Sequence, residues 1–200
     1  MLLLYAVALG IIAGLVTHGR MGELGSVHIK LWPVALIGLL FQAVLFSSPI
    51  TDTVGALGPS LYVLSTTLVL MTLVVNIRQP GFWIIAVGAL LNFTAIILNN
   101  GFMPASPAAV LGLSGLPSLP PVAYTNSSLL PNPTLGFLGD IFYLPRPLPF
   151  ANIFSIGDVL IGLGGAWFVV RTMHGGAGAN TAAADPRQVT SHQPVSGSNV

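Results

Sequence analysis

Five almost unbroken apolar runs divide the chain: Met1–Thr17, Leu31–Phe46, Leu61–Ile77, Phe82–Leu98 and Ile153–Met173. Each is 16 to 21 residues long, near the roughly 20 helical residues that cross a bilayer core of about 30 Å. None alternates in polarity over segments of about ten residues, as a membrane β-strand does. The pattern predicts an all-α integral membrane fold with five transmembrane helices, at about 1–17, 31–46, 61–77, 82–98 and 153–173. The second run is the shortest and carries Pro33 in its first turn, where the missing N–H has no helical partner to lose. A long Pro-rich extracytoplasmic loop, 99–152, separates the fourth and fifth spans. Residues 174–200 are mostly small and polar. With nothing to bury against the entropy of ordering, they are expected to form a disordered cytoplasmic tail.

Composition supports lipid as the main solvent. Apolar residues make up 54% of the chain, charged residues 6%, and mean hydropathy is +0.87, whereas soluble domains carry about 25% charged residues. The net charge of +1 comes from dispersed groups, so there is no basic stripe for a phosphate backbone and no nucleic-acid partner is expected. The chain has no cysteine, which excludes disulfides and thiolate chemistry. With five spans, Arg20, Lys30, Arg78, Arg171 and Arg187 share one side, and Arg146 lies on the other. Deleting the second span would split them three against three. The positive-inside rule therefore puts the N-terminus outside and the C-terminus in the cytoplasm. The first run has no basic segment before it and reads as an uncleaved anchor.

Every run also carries small or polar residues at helical spacing, which let helices approach closely in lipid. Examples are Ala6, Gly10 and Gly14 in the first run, and Gly88, Asn92 and Ala95 in the fourth. The Gly10–Gly14 spacing predicts a close neighbour within the chain, with a homodimer as the alternative. Asn92 falls near the bilayer middle, about 15 Å from the cytoplasmic end of its span. It calls for a partner, either Gln42 or a backbone carbonyl of a neighbouring helix; otherwise both amides line a polar path.

The loop and its borders hold the distinctive motifs. After the fourth span the chain reads Asn99-Asn100-Gly101-Phe102-Met103-Pro104; Leu138-Gly139-Asp140 follows, and Phe154-Ser155-Ile156-Gly157-Asp158 opens the last span. Over roughly residues 1–172 this combination resembles a family of small bacterial multi-pass membrane proteins of unknown function, domain of unknown function 5317. The resemblance implies a bacterial plasma (inner) membrane location and supplies no activity.

Physically, Asn-Gly marks a turn that ends the fourth helix. Ser106-Pro107 is a cap and first-turn pair, predicting a short helix over Pro107–Leu113. The loop is too apolar for disorder and is expected to fold over the outer mouth of the bundle. Ser155 and Asp158 match a capping box, and a carboxylate so near a span is also a candidate for binding a cation, a proton or a polar headgroup. Asp140 is expected to pair with Arg146. Asn99, Asn100, Gly101, Met103, Pro104, Asp140, Ser155, Gly157 and Asp158 make up the candidate polar rim, with Gln42 and Asn92 as intramembrane polar residues.

Enzymatic readings fit poorly. Gly112-Leu113-Ser114-Gly115 matches a rhomboid-type string, but His18, His28, His174 and His192 all fall on the opposite side. Asp140 and Asp158 imitate an aspartyl pair, yet Asp140 is in the loop. No His-Glu-x-x-His string or close His pair offers a metal site, and no cofactor is expected. The expected function is a non-enzymatic binding or accessory module that recognises a lipid, a hydrophobic small molecule or a membrane partner at the outer leaflet. A small solute or ion permease, with a polar track from Asp158 past Asn92 to Asn76, is the alternative. An intramembrane enzyme stands last.

Overall fold

A computed structural model describes residues 2–47, 55–115 and 127–175. They form six α-helices and one β-hairpin: α1 (Leu2–Val16), α2 (Trp32–Leu45), α3 (Gly58–Val75), α4 (Phe82–Leu98), α5 (Pro107–Ser114), β1 (Asp140–Leu144), β2 (Asn152–Ser155) and α6 (Ile156–His174). The protein is mostly helical. Two helices, Gly55–Val75 and Ile156–His174, are long and apolar enough to cross a membrane. The other three apolar helices, α1, α2 and α4, are shorter.

The helix ends follow local chemistry. Pro33 and Pro59 sit in the first turns of α2 and α3, where their missing N–H groups leave no helical bond unmade. The Asn-Gly turn forms as its residues demand, with Asn100 at φ 58° and Gly101 at φ 86°. Glycine tolerates this region freely and asparagine better than most residues. A side chain on Gly101 would also run into Pro59 at the start of α3.

The long helices pack in the order α2, α3, α4, α6, α1, with small residues at the crossings. Gly88 of α4 lies against Gly157, Leu160 and Ile161 of α6, so closely that a Cβ would sit 2.9 Å from that of Leu160. Gly10 and Gly14 of α1 face Ala166, Val169 and Met173 of α6. The Gly-x-x-x-Gly pair thus has its neighbour inside the chain. A cluster of Leu73, Phe82 and Ala89, joined by Ile85 and Phe168, fills the space between α3, α4 and α6. Asn76, after α3, fixes the connection into α2: its amide nitrogen donates to the Lys30 carbonyl at 2.7 Å, and its oxygen accepts from the Lys30 N–H at 2.8 Å.

The 99–152 segment contains more structure than its composition predicts. Ser106 precedes α5, but its side chain makes no cap bond. β1 and β2 pair antiparallel, and Met103–Ser106 is threaded between Ser128 and Asp140 by backbone bonds of 2.8 to 2.9 Å. The segment packs on the bundle through Met103 and Leu138 against Ala95 and Ile96 of α4. The fifth apolar run also needs correction. Asn152–Ser155 is strand, so the last helix starts at Ile156, where Ser155 caps it, and not at Ile153. The predicted third span is shifted too: its helix begins at Gly58 and ends at Val75. Of the predicted tail, 176–200 lies outside the described residues.

Candidate binding cavity

Between the helices, beneath the hairpin, is a cavity of about 370 Å³. All five long helices line it: Leu2 and Leu3 from α1, Leu39 and Gln42 from α2, Tyr62, Thr66 and Val69 from α3, Ala89, Asn92 and Ile96 from α4, and Asp158 and Ile161 from α6. The hairpin roofs it with Asp140 and Asn152–Phe154. The row of helices therefore curves, because its two ends, α1 and α2, face the same space without substantial contact with each other. Among the lining residues only Leu3 and Leu39 are exposed, at 46% and 52%. The mouth lies between these two residues.

Two polar groups meet at this space. In the first, Ser155 and Asp158 form the capping box: the Asp158 N–H donates to Ser155 Oγ at 3.0 Å, and the Ser155 N–H donates to Asp158 Oδ2 at 3.1 Å. Asn92 joins them from α4, its Nδ2 donating to Asp158 Oδ1 at 2.8 Å and its Oδ1 accepting from Ser155 Oγ at 2.7 Å. Gln42 is therefore not the partner of Asn92. It forms the second group, donating from Nε2 to Ser65 Oγ at 3.1 Å and to Thr66 Oγ1 at 3.2 Å. Gly157 explains the first pairing: without a side chain there, α4 comes close enough for Asn92 to reach the start of α6.

Asp140 completes the roof. It is buried, its backbone N–H donates to the Pro104 carbonyl at 2.8 Å, and its Oδ2 accepts from the Ser127 hydroxyl. Burial pushes its carboxyl pKa up to about 6; the Ser127 bond opposes the shift, Asp158 adds to it, and the amino-terminal charge opposes it. The expected pair with Arg146 does not form. Arg146 is exposed, and Arg20–Glu23 is the ion pair found among the described residues. The physical reason is direction: the backbone bonds of Asp140 and its place on β1 turn its carboxylate inward, away from the water that solvates Arg146.

The predicted rim therefore splits. Asp140 and Asp158 line the cavity along with Gln42 and Asn92, and Ser155 and Gly157 support them from behind. Asn99 does not take part: it is buried, donating to the Ala95 and Thr134 carbonyls and accepting from the Thr134 N–H. Asn100 and Gly101 form the turn, Met103 packs against Ala95 and Ile96 of α4, and Pro104 is buried in the segment beside it. Tyr62, Thr66 and Asn152 were missed in the sequence. Thr66 could have been found as one of three consecutive hydroxyl residues, Ser65, Thr66 and Thr67, inside an apolar run, but Asn152 reaches the site only through the hairpin. Among the described residues no group of three or more His, Cys, Asp or Glu side chains is placed to hold a metal ion.

Fold and site together define a helical protein with a largely apolar exterior and a polar-lined internal cavity under a hairpin roof. The chain belongs to the family of unknown function DUF5317, whose model matches residues 26–170. That region holds every lining residue except Leu2 and Leu3. Curated proteins and solved structures gave no match.

Proposed function

We propose that the protein is a non-enzymatic binding or accessory module of the bacterial plasma membrane, which receives a lipid or hydrophobic small molecule at the outer leaflet. In this reading all five long helices cross the bilayer, and the hairpin and α5 cover their outer ends. Large apolar side chains exposed on every one of them support it: Ile12 of α1 is 57% exposed, Ile37 of α2 63%, Val74 of α3 63%, Trp83 of α4 61% and Leu163 of α6 58%. So wide an apolar surface is costly in water and costs nothing in lipid. Arg20, Lys30, Arg78 and Arg171 gather at the end where α1, α3 and α6 finish, away from the hairpin, as the positive-inside rule asks of a cytoplasmic end.

The cavity carries the functional reading. It combines a few fixed polar groups with apolar walls, the usual composition of a small-molecule site. A permease has less support, because the cavity floor of Val69, Ala89 and Ile161 belongs to the same apolar cluster as Leu73, Phe82 and Phe168. Those side chains stand between Asn92 and Asn76. The test is native mass spectrometry of protein released gently into mild detergent. A retained small molecule or lipid is expected on the wild type, reduced by Leu39→Trp at the mouth and unaffected by Leu40→Trp on the outer face. No retained molecule, or retention indifferent to Leu39→Trp, would refute the reading.

A further inference from the structure

We propose that the cavity takes a cationic amphiphile, an alkyl chain bearing a protonated amine, which arrives sideways from the bilayer through the gap between α1 and α2. This rests on the binding-module reading and adds the charge and route of the ligand.

The charge follows from which hydrogen-bonding capacity is left over. Both N–H groups of Gln42 Nε2 are engaged with Ser65 and Thr66, the Thr66 hydroxyl donates to the Tyr62 carbonyl, and that of Ser155 donates to Asn92. Acceptors remain. The second oxygen of the buried Asp140 carboxylate and the side-chain oxygen of Gln42 accept no hydrogen bond from the described residues, and each Asp158 oxygen accepts one. Among the described residues no Lys, Arg or His side chain lines the cavity, and the amino-terminal charge only partly offsets the burial of Asp140. Two carboxylates and an amide oxygen, largely shielded from water, favour a head with positive charge and N–H donors and repel a carboxylate or phosphate.

The chain and its route follow from the walls. Below the polar groups lie Val69, Ala89 and Ile161, and the mouth is flanked by the exposed Leu3 and Leu39. A water-soluble amine would leave these leucines unused, whereas an alkyl chain from the surrounding lipid fits between them.

Dodecylamine, dodecanol, dodecanoate and ethylamine can be titrated against purified full-length protein in a neutral detergent at pH 7.5, with the unfolding midpoint and native mass spectrometry as readouts. Dodecylamine is expected to bind and raise the midpoint, dodecanol to bind more weakly, and dodecanoate and ethylamine to do neither. Asp140→Asn is expected to weaken dodecylamine at least about tenfold while sparing dodecanol, as loss of a charged hydrogen-bond partner requires. Asp158→Asn should do the same but risks the α6 cap, so Asp140→Asn is the deciding variant. Equal binding of all three chain-bearing probes, or amine binding undiminished by Asp140→Asn, would overturn the charge assignment alone. Ethylamine binding as tightly as dodecylamine would overturn the amphiphile and its lateral route. Failure of every chain-bearing probe would overturn this inference, and the module reading falls with it only where native mass spectrometry also finds no retained molecule.

Discussion

Asp140 is the residue whose environment departs furthest from what its neighbours in sequence predict. Its folded pKa of about 6 lies above the ordinary carboxyl value of 3.8. It therefore contributes stability that is fully present below pH 3.8 and is lost as pH rises through 6. In melts of the detergent-solubilised protein, wild type is expected to lose on the order of 2 to 3 kcal/mol relative to Asp140→Asn between pH 4 and pH 7. Parallel curves for the two proteins would show that the carboxylate is solvated. At this scale the sequence was informative where chemistry is local. Ser155 and Asp158 were legible as a cap because both partners lie within one helical turn. The partners of Asp140 and Asn92 were not, because they come from other segments: Ser127 for Asp140, and α6, 63 and 66 positions along the chain, for Asn92.

Among the elements, the crossing of α4 and α6 matters most, since it brings Asn92 to Ser155 and Asp158. The contact depends on Gly88 and Gly157 lying face to face, with no room for side chains between the helices. Gly88→Val is expected to force α4 and α6 apart and to destabilise the protein by about 1 to 3 kcal/mol, the usual cost of overpacking. A lower unfolding midpoint should accompany weaker retention of the cavity ligand; an unchanged midpoint would mean that the helices do not meet there. The five apolar runs were visible as helices because length and composition suffice to mark them. The β-hairpin was not, because β1 and β2 are only five and four residues long and the second is continuous in sequence with the apolar run of α6. Hairpin pairing is a contact between segments, and it moved the start of the last helix from Ile153 to Ile156.

At the scale of the whole molecule, four basic side chains, Arg20, Lys30, Arg78 and Arg171, gather at one end of the bundle, and the hairpin, with Arg146, covers the other. Because the chain has no native cysteine, single-cysteine labelling reads this directly. Phe137→Cys, exposed on the hairpin side, is expected to react with a membrane-impermeant maleimide in intact cells. Gly22→Cys, beside Arg20, should react only after permeabilisation. Labelling of both from outside, or of Gly22→Cys alone, would refute the proposed orientation. By itself the sequence determined which segments are helical and apolar, where their charges fall and where the chain must turn, because these depend on covalent neighbours and on the solvent each stretch prefers. Only the tertiary structure decided that Gln42, Asn92, Asp140 and Asp158 share one cavity while Asn99, Met103 and Pro104 serve packing. That choice depends on how helices joined at glycine contacts curve around a common space, and residue spacing along the chain does not encode that curvature.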